Sequence, residues 1–179
     1  MWKLLSDHWE AHKDKQKNEI WPAGNIYTNH WAAPTYMVSV EDDSLENAGQ
    51  TLKSAIWEAA KSTIEHWTGM EQKPTSMYGI RVYTEGAILN PHVDRLPLVG
   101  SCIINVDQDV DEPWVLEVYD RHDRAVNVTM EVRCALALSH PAGYPFVLDW
   151  LLTRVPVVCL LACLYIFSLV TWCCMNLDR

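Results

Sequence analysis

Positive charge is scarce in this chain of 179 residues: 14 lysines and arginines stand against 23 aspartates and glutamates, a formal net charge of −9. Such a deficit argues against a nucleic-acid partner, because nothing offsets repulsion from the phosphates. Cysteine is almost missing from the first 131 residues, where Cys102 stands alone, so no disulfide framework organises that part. A secretory leader is not visible either, since Lys3, Asp7, Glu10 and Lys13 break up any apolar stretch at the start.

These scarcities end at one point. Residues 132–179 hold five of the six cysteines and carry a net charge of +1, which leaves −10 on the 131 residues before them. Within this tail, Val155 to Met175 is a run of 21 residues without a charge. A helix of that length spans about 30 Å, the thickness of the hydrocarbon of a bilayer. The run predicts a C-terminal single-pass membrane anchor with the preceding domain in the cytoplasm; the alternative is an apolar segment buried in a cytoplasmic protein. Cys159 and Cys163, four apart inside the run, read as small buried hydrophobes.

The rest of the chain is long enough for one domain with a core of its own. Trp2, Leu5, Trp9 and His12 recur at three- and four-residue intervals and predict an amphipathic helix to about Asn18, with His8 and His12 half-exposed on it. Tyr36 to Val40 alternates as a strand. Asp43 and Glu46 have capping-box spacing, and Leu45, Ala48, Leu52, Ile56, Ala59 and Ile64 keep a helical period as far as Gly69. Four short stretches rich in β-branched residues follow, at 78–83, 98–106, 114–119 and 125–130, with a turn at 120–123 between the last two.

Between the first and second of these lies Tyr83-Thr84-Glu85-Gly86-Ala87-Ile88-Leu89-Asn90-Pro91-His92-Val93-Asp94. On an extended backbone His92 and Asp94 leave the same face and can grip one metal ion. An imidazole with a carboxylate suits an open Fe(II) centre that takes a second histidine from elsewhere.

The Tyr-x-x-Gly spacing ahead of His-x-Asp, with Gly79-Ile80-Arg81-Val82-Tyr83 before it and Ser101 to Val110, Trp114 and Val128 to Glu131 after it, resembles the prolyl 4-hydroxylase-like Fe(II)/2-oxoglutarate dioxygenases. The resemblance is most specific over residues 77–131. It implies an α+β fold whose core is a double-stranded β-helix, or jelly roll, with flanking helices; about eight strands are needed and some five are visible before the tail, so the expected core is incomplete, followed by a C-terminal apolar helix. It also implies Fe(II) and 2-oxoglutarate, with ascorbate as a reductant, His92 and Asp94 as iron ligands and Tyr83 as a residue that hydrogen-bonds the co-substrate. The substrate class is a peptide, with peptidyl proline the family's own, or a small molecule.

After Glu131 the likeness stops. The family continues with a Pro-Gly-Asp turn, a distal histidine ligand and a basic residue for the far carboxylate of 2-oxoglutarate, whereas this chain reads Val132-Arg133-Cys134-Ala135-Leu136-Ala137-Leu138-Ser139-His140-Pro141. His140 is the sole downstream histidine and so the candidate third ligand, and no basic residue follows it before Arg154. The expected organisation is a partial dioxygenase-like domain over 1–131, a divergent linker over 132–154 and the apolar helix over 155–175. Two functions stand open: a hydroxylase of this family, and a catalytically inactive, truncated relative serving as a membrane-tethered binding module. The coincident change in likeness, charge and cysteine content also suits a tail translated by read-through at a splice donor.

Overall fold

The computed structural model describes residues 1–23, 33–87, 100–113, 115–119, 124–131, 133, 135–139, 161–165 and 168–169. The chain starts with helix α1 (Trp2–His12), a 3₁₀ turn (Lys13–Lys15) and strand β1 (Lys17–Asn18), so the predicted first helix ends earlier than Asn18. Strand β2 (Thr35–Ser39) leads to the long helix α2 (Gly49–Thr68). Then come β3 (Gln72–Lys73), β4 (Ser76–Met77), β5 (Gly79–Tyr83), β6 (Gly100–Asn105), β7 (Val115–Tyr119), β8 (Ala125–Thr129), β9 (Ala135–Ser139), β10 (Leu161–Tyr165) and β11 (Ser168–Leu169).

The fold is α+β with antiparallel sheets. One sheet runs in the order β1-β2-β5-β10-β6-β9, with β4 also on β10; β7 pairs with β8, and β11 with β3. Alternation along the strands decides which face each residue serves. Val38 of β2, Ile80 of β5 and Cys102 and Ile104 of β6 join Leu5 and Trp9 of α1 and Leu52, Ile56, Ala60 and Ile64 of α2 in the main core. Complete burial of a side chain the size of Ile56 or Ile80 contributes about 1.5–3 kcal/mol. Ile103 points the other way and packs on Val118, Val128 and Met130 of a second, smaller cluster. The sheet therefore carries helices on one face and the β7–β8 hairpin on the other.

Helix α2 ends at Gly69 as its sequence predicts, with Gly69 in the left-handed region at φ 68° and its N–H bonded to the Glu65 carbonyl. Its start differs. The cap position is Ala48, with no side-chain cap, because Asp42 engages the Ser44 backbone N–H and hydroxyl in a local turn and the chain then passes through Asn47 (φ 59°) and Gly49 (φ 76°). Such local side-chain bonds compete with helix capping. His8 and His12 are buried, 4% and 7% exposed, and not half-exposed. With Leu5 and Trp9 they form one i, i+3, i+4, i+7 stripe, all of which faces the core.

The apolar run over 155–175 is the largest departure from expectation. Its described residues are extended: Leu161–Tyr165 is the strand between β5 and β6, and Ser168–Leu169 pairs with Gln72–Lys73. Uncharged runs suit a membrane helix and a central strand equally, and periodicity cannot separate them. Among the described residues no helix is long and apolar enough to cross a membrane. The range 132–154, read as a linker, contains β9, which pairs with β6 from Gly100↔Ser139 to Ile104↔Ala135.

Candidate functional site

Strand β5 positions the one sequence-predicted site residue that is described. Ile80 enters the main core and Val82 packs against it, so Arg81 and Tyr83 leave the opposite, hairpin-side face. His92, Asp94 and His140 lie outside the described residues. Among the described residues no group of three His, Cys, Asp or Glu side chains is placed to hold a metal.

Register builds a polar cluster around Tyr83. Thr35 of β2 stands opposite Tyr83, and the β1–β2 ladder (Lys17↔Met37, Asn18↔Tyr36) continues to Glu19, whose N–H donates to the Thr35 carbonyl at 2.9 Å. Glu19, Thr35 and Tyr83 thus form one row across three neighbouring chain segments. Directly opposed residues on paired strands share a face. Arg81 sits two residues back along β5 and reaches into this row. Its Nε donates to one Glu19 carboxylate oxygen at 2.6 Å and its Nη2 to the other at 2.9 Å. Nη1 lies 3.4 Å from the Tyr83 hydroxyl.

The pair is enclosed. The side chains of Arg81 and Glu19 are 8% and 11% exposed, and the fully buried Thr35 donates its hydroxyl to the same carboxylate at 2.8 Å. The indole of Trp21 lies 5.5 Å from the guanidinium carbon and the Tyr83 ring 5.9 Å. Fork-to-fork guanidinium–carboxylate geometry with a third donor is the arrangement that offsets the desolvation of two buried charges. Chemically this is a receptor for one carboxylate, and a carboxylate of the chain itself occupies it.

Across β10 lies a second buried polar group. Arg81 and Asn105 are both register partners of Leu161, so they share a row and a face with about 10 Å between their Cα atoms. Asn105 is fully buried, donates Nδ2 to the Met130 carbonyl at 2.8 Å and has Gln108 Oε1 at 3.4 Å; its Oδ1 has no hydrogen-bond partner among the described residues. The Met130 acceptor fixes the amide orientation, since the flipped amide sets two oxygens against each other. On the helix side, burial pushes the Cys102 thiol up to about 12, so it is inert as a nucleophile or ligand.

Of the residues in these two polar groups, the sequence singled out Tyr83, as a co-substrate residue by resemblance; it gave Arg81 no role and did not single out Glu19, Thr35 or Asn105. Glu19 and Arg81 are 62 residues apart, and no local spacing announces such a pair. Comparison of the chain with models of protein families, with curated proteins and with solved structures finds no match in any of the three.

Proposed function

We propose that the chain is a double-stranded β-helix protein of the Fe(II)/2-oxoglutarate dioxygenase type, with hydroxylation of a peptide or small-molecule C–H bond as its activity. The observation that carries this reading is strand order. A jelly roll is an antiparallel ribbon folded over on itself, so ribbon strand one pairs with eight, three with six, and four with five. With β5 as strand one, β6 as three, β7 and β8 as four and five, β9 as six and β10 as eight, the observed order β5-β10-β6-β9 and the β7–β8 hairpin follow. In the sequence, His92 and Asp94 stand between β5 and β6, and His140 between β9 and β10.

The donor set fits the metal: two imidazoles and one carboxylate suit Fe(II) and leave positions open. Iron with 2-oxoglutarate supplies oxidising power for C–H hydroxylation. The chain's own residues do the rest. His92, Asp94 and His140 would hold the ion. Tyr83 offers its hydroxyl to the co-substrate, and the β7–β8 hairpin, packed through Val118, Val128 and Met130 on Ile103, keeps water from that face of β6. One observation favours the inactive reading: Arg81, the cation beside Tyr83, already holds Glu19.

The test is conversion of 2-oxoglutarate to succinate by the full chain with Fe(II), ascorbate and oxygen. Turnover that His92→Ala, Asp94→Ala and His140→Ala each abolish is the expected result. A folded chain with neither turnover nor Fe(II) binding overturns the enzyme reading and leaves the inactive scaffold.

A further inference from the structure

We propose that Arg81, Thr35, Tyr83 and Trp21 form a carboxylate-binding subsite that Glu19 plugs in cis, and that a dicarboxylate ligand enters by displacing Glu19. The receptor half of the argument is geometric. Arg81 presents Nε and Nη2 side by side to two carboxylate oxygens at 2.6 and 2.9 Å, Thr35 adds a hydroxyl at 2.8 Å, and the Trp21 and Tyr83 rings wall the guanidinium. Nothing in that set of donors is specific to a glutamate side chain. A free carboxylate accepts the same three bonds with the same charge, so exchanging one for the other leaves no buried cation unpaired.

The plug half concerns what holds Glu19. It directly follows β1, which is two residues long and lies at the edge of the sheet. Beyond the ladder, an ion pair from Lys17 to Asp42 fastens it, with Lys17 75% exposed and Asp42 22% exposed. Ion pairs this open hold little. Ile20, the next residue, is 90% exposed. Arg81, by contrast, is built into β5 between β2 and β10. The fixed partner is therefore the cation and the removable one the carboxylate.

Placement gives the subsite its ligand. The Arg81 Nη1 is 3.4 Å from the Tyr83 hydroxyl, so a carboxylate on Arg81 has its own chain beside the tyrosine assigned above to the co-substrate. No basic residue lies between Arg133 and Arg154, and Arg81 takes the place of a downstream base for one end of a four- or five-carbon dicarboxylate. The choice of dicarboxylate rests on the proposed function; the carboxylate receptor does not. A tethered group such as Glu19 competes at an effective concentration of about 1 mM or more. With ~0.1 mM as the intrinsic dissociation constant of the Glu19 carboxylate, a ligand of any affinity thus binds about tenfold more tightly once Glu19 is gone.

The experiment uses the full, metal-free chain, with succinate and 2-oxoglutarate as probes and sodium chloride at matched ionic strength as control. Melting temperature and tryptophan fluorescence are read for the unaltered chain, Glu19→Gln, Glu19→Ala, and Glu19→Gln combined with Arg81→Met. The expected result is a saturable response to succinate in both Glu19 variants at about tenfold lower concentration than in the unaltered chain, lost when Arg81→Met is added. If Glu19→Ala folds only with succinate present, that rescue is the same result read as refolding yield. Equal responses of Glu19→Gln and the unaltered chain, or a response that survives Arg81→Met, overturn the proposal. Succinate binding without oxygenase turnover refutes the enzyme reading alone, and turnover indifferent to Arg81→Met refutes the subsite alone.

Discussion

Deleting residues 154–179 should destroy the domain, which is the opposite of what removing a membrane anchor does. The segment contains β10, and β10 has one register partner on β5, four on β6 and two on β4. Taking about one ladder hydrogen bond per partner, at a net 0.5–1.5 kcal/mol each, the deletion removes roughly 4–10 kcal/mol before any side-chain burial is counted. A whole domain of this size is stable by about 5–15 kcal/mol. No β5–β6 pairing exists to take over, so the sheet falls into β1-β2-β5 and β6-β9. The assay is urea unfolding followed by fluorescence of the nine tryptophans. At about 1–3 kcal/mol per molar urea, the smaller loss already moves the midpoint down by about 1–4 M. A truncated chain that unfolds cooperatively at the midpoint of the full chain refutes the reasoning. It also restores the reading of 155–175 as an appended anchor, which detergent or vesicle partitioning of the full chain then confirms. For the same reason, turnover has to be measured on the full chain and not on residues 1–153.

Gly79→Ala should destabilise by about 1–3 kcal/mol or more, since the new Cβ runs into the Val38 carbonyl oxygen and comes within 2.9 Å of the Ser39 Cα, neither able to swing aside; a urea midpoint within error of the parent contradicts the β2–β5 packing. Burial, with a smaller push from His12, holds the His8 imidazole below its ordinary value against the raising effect of its bond to the Ser39 carbonyl. The unfolded chain therefore binds more protons, so stability is complete above about pH 6.5 and falls as pH drops below that value. Melting temperatures from pH 7.5 to 5.5 should fall less steeply for His8→Gln than for the parent, and parallel curves reject the assignment. Trp9→Phe removes the indole N–H bond to Asp107 at 2.9 Å; the loss should be about 1.5–3 kcal/mol for a bond to a charged acceptor, most of it recovered by Asp107→Asn in a double-mutant cycle.

How much of this was legible follows from the range over which each signal acts. Helix α2 was legible because Leu52, Ile56 and Ile64 of its predicted stripe are buried and Gly69 supplies a left-handed end, although Ala60 and not Ala59 fills the turn between Ile56 and Ile64. Strands β5 to β8 were legible from their β-branched residues, to within a residue or two at each end. The Asp43–Glu46 capping box misled because it ignored the competing turn at Asp42 and Ser44. Strand β10 was not legible: Leu-Ala-Cys-Leu-Tyr has neither alternation nor charge, so nothing local distinguishes a strand covered on both edges from a helix in lipid. Of the candidate site, the sequence marked Tyr83 through a short-range motif. The Glu19 carboxylate on Arg81, and the Asn105 amide level with Arg81 across β10, depend on registers between strands far apart in the chain.

The break at Glu131 is a break in composition and not in structure. The Met130 carbonyl accepts from Asn105 of β6, the Arg133 guanidinium lies 4.6 Å from the Trp2 ring of α1, and β9 begins at Ala135. Continuity of this kind does not by itself require a tail shaped by selection. A central strand contributes mainly its backbone ladder, and the ladder asks only for residues without charge, without proline and of tolerable volume. If the tail comes from read-through, its side chains were never fitted to their places. Reversing residues 161–165 to Tyr-Leu-Cys-Ala-Leu keeps composition and volume while moving every side chain but the central one. A generic strand should tolerate this within about 1–3 kcal/mol, the usual cost of a local change in packed volume. A loss of several kcal/mol in the urea midpoint means that Leu161 to Tyr165 are fitted to β5 and β6 individually, which read-through sequence has no means to achieve. Sequencing the transcript across codon 131 supplies the independent half: a single message encoding this tail, together with that loss, makes it an evolved part of the fold.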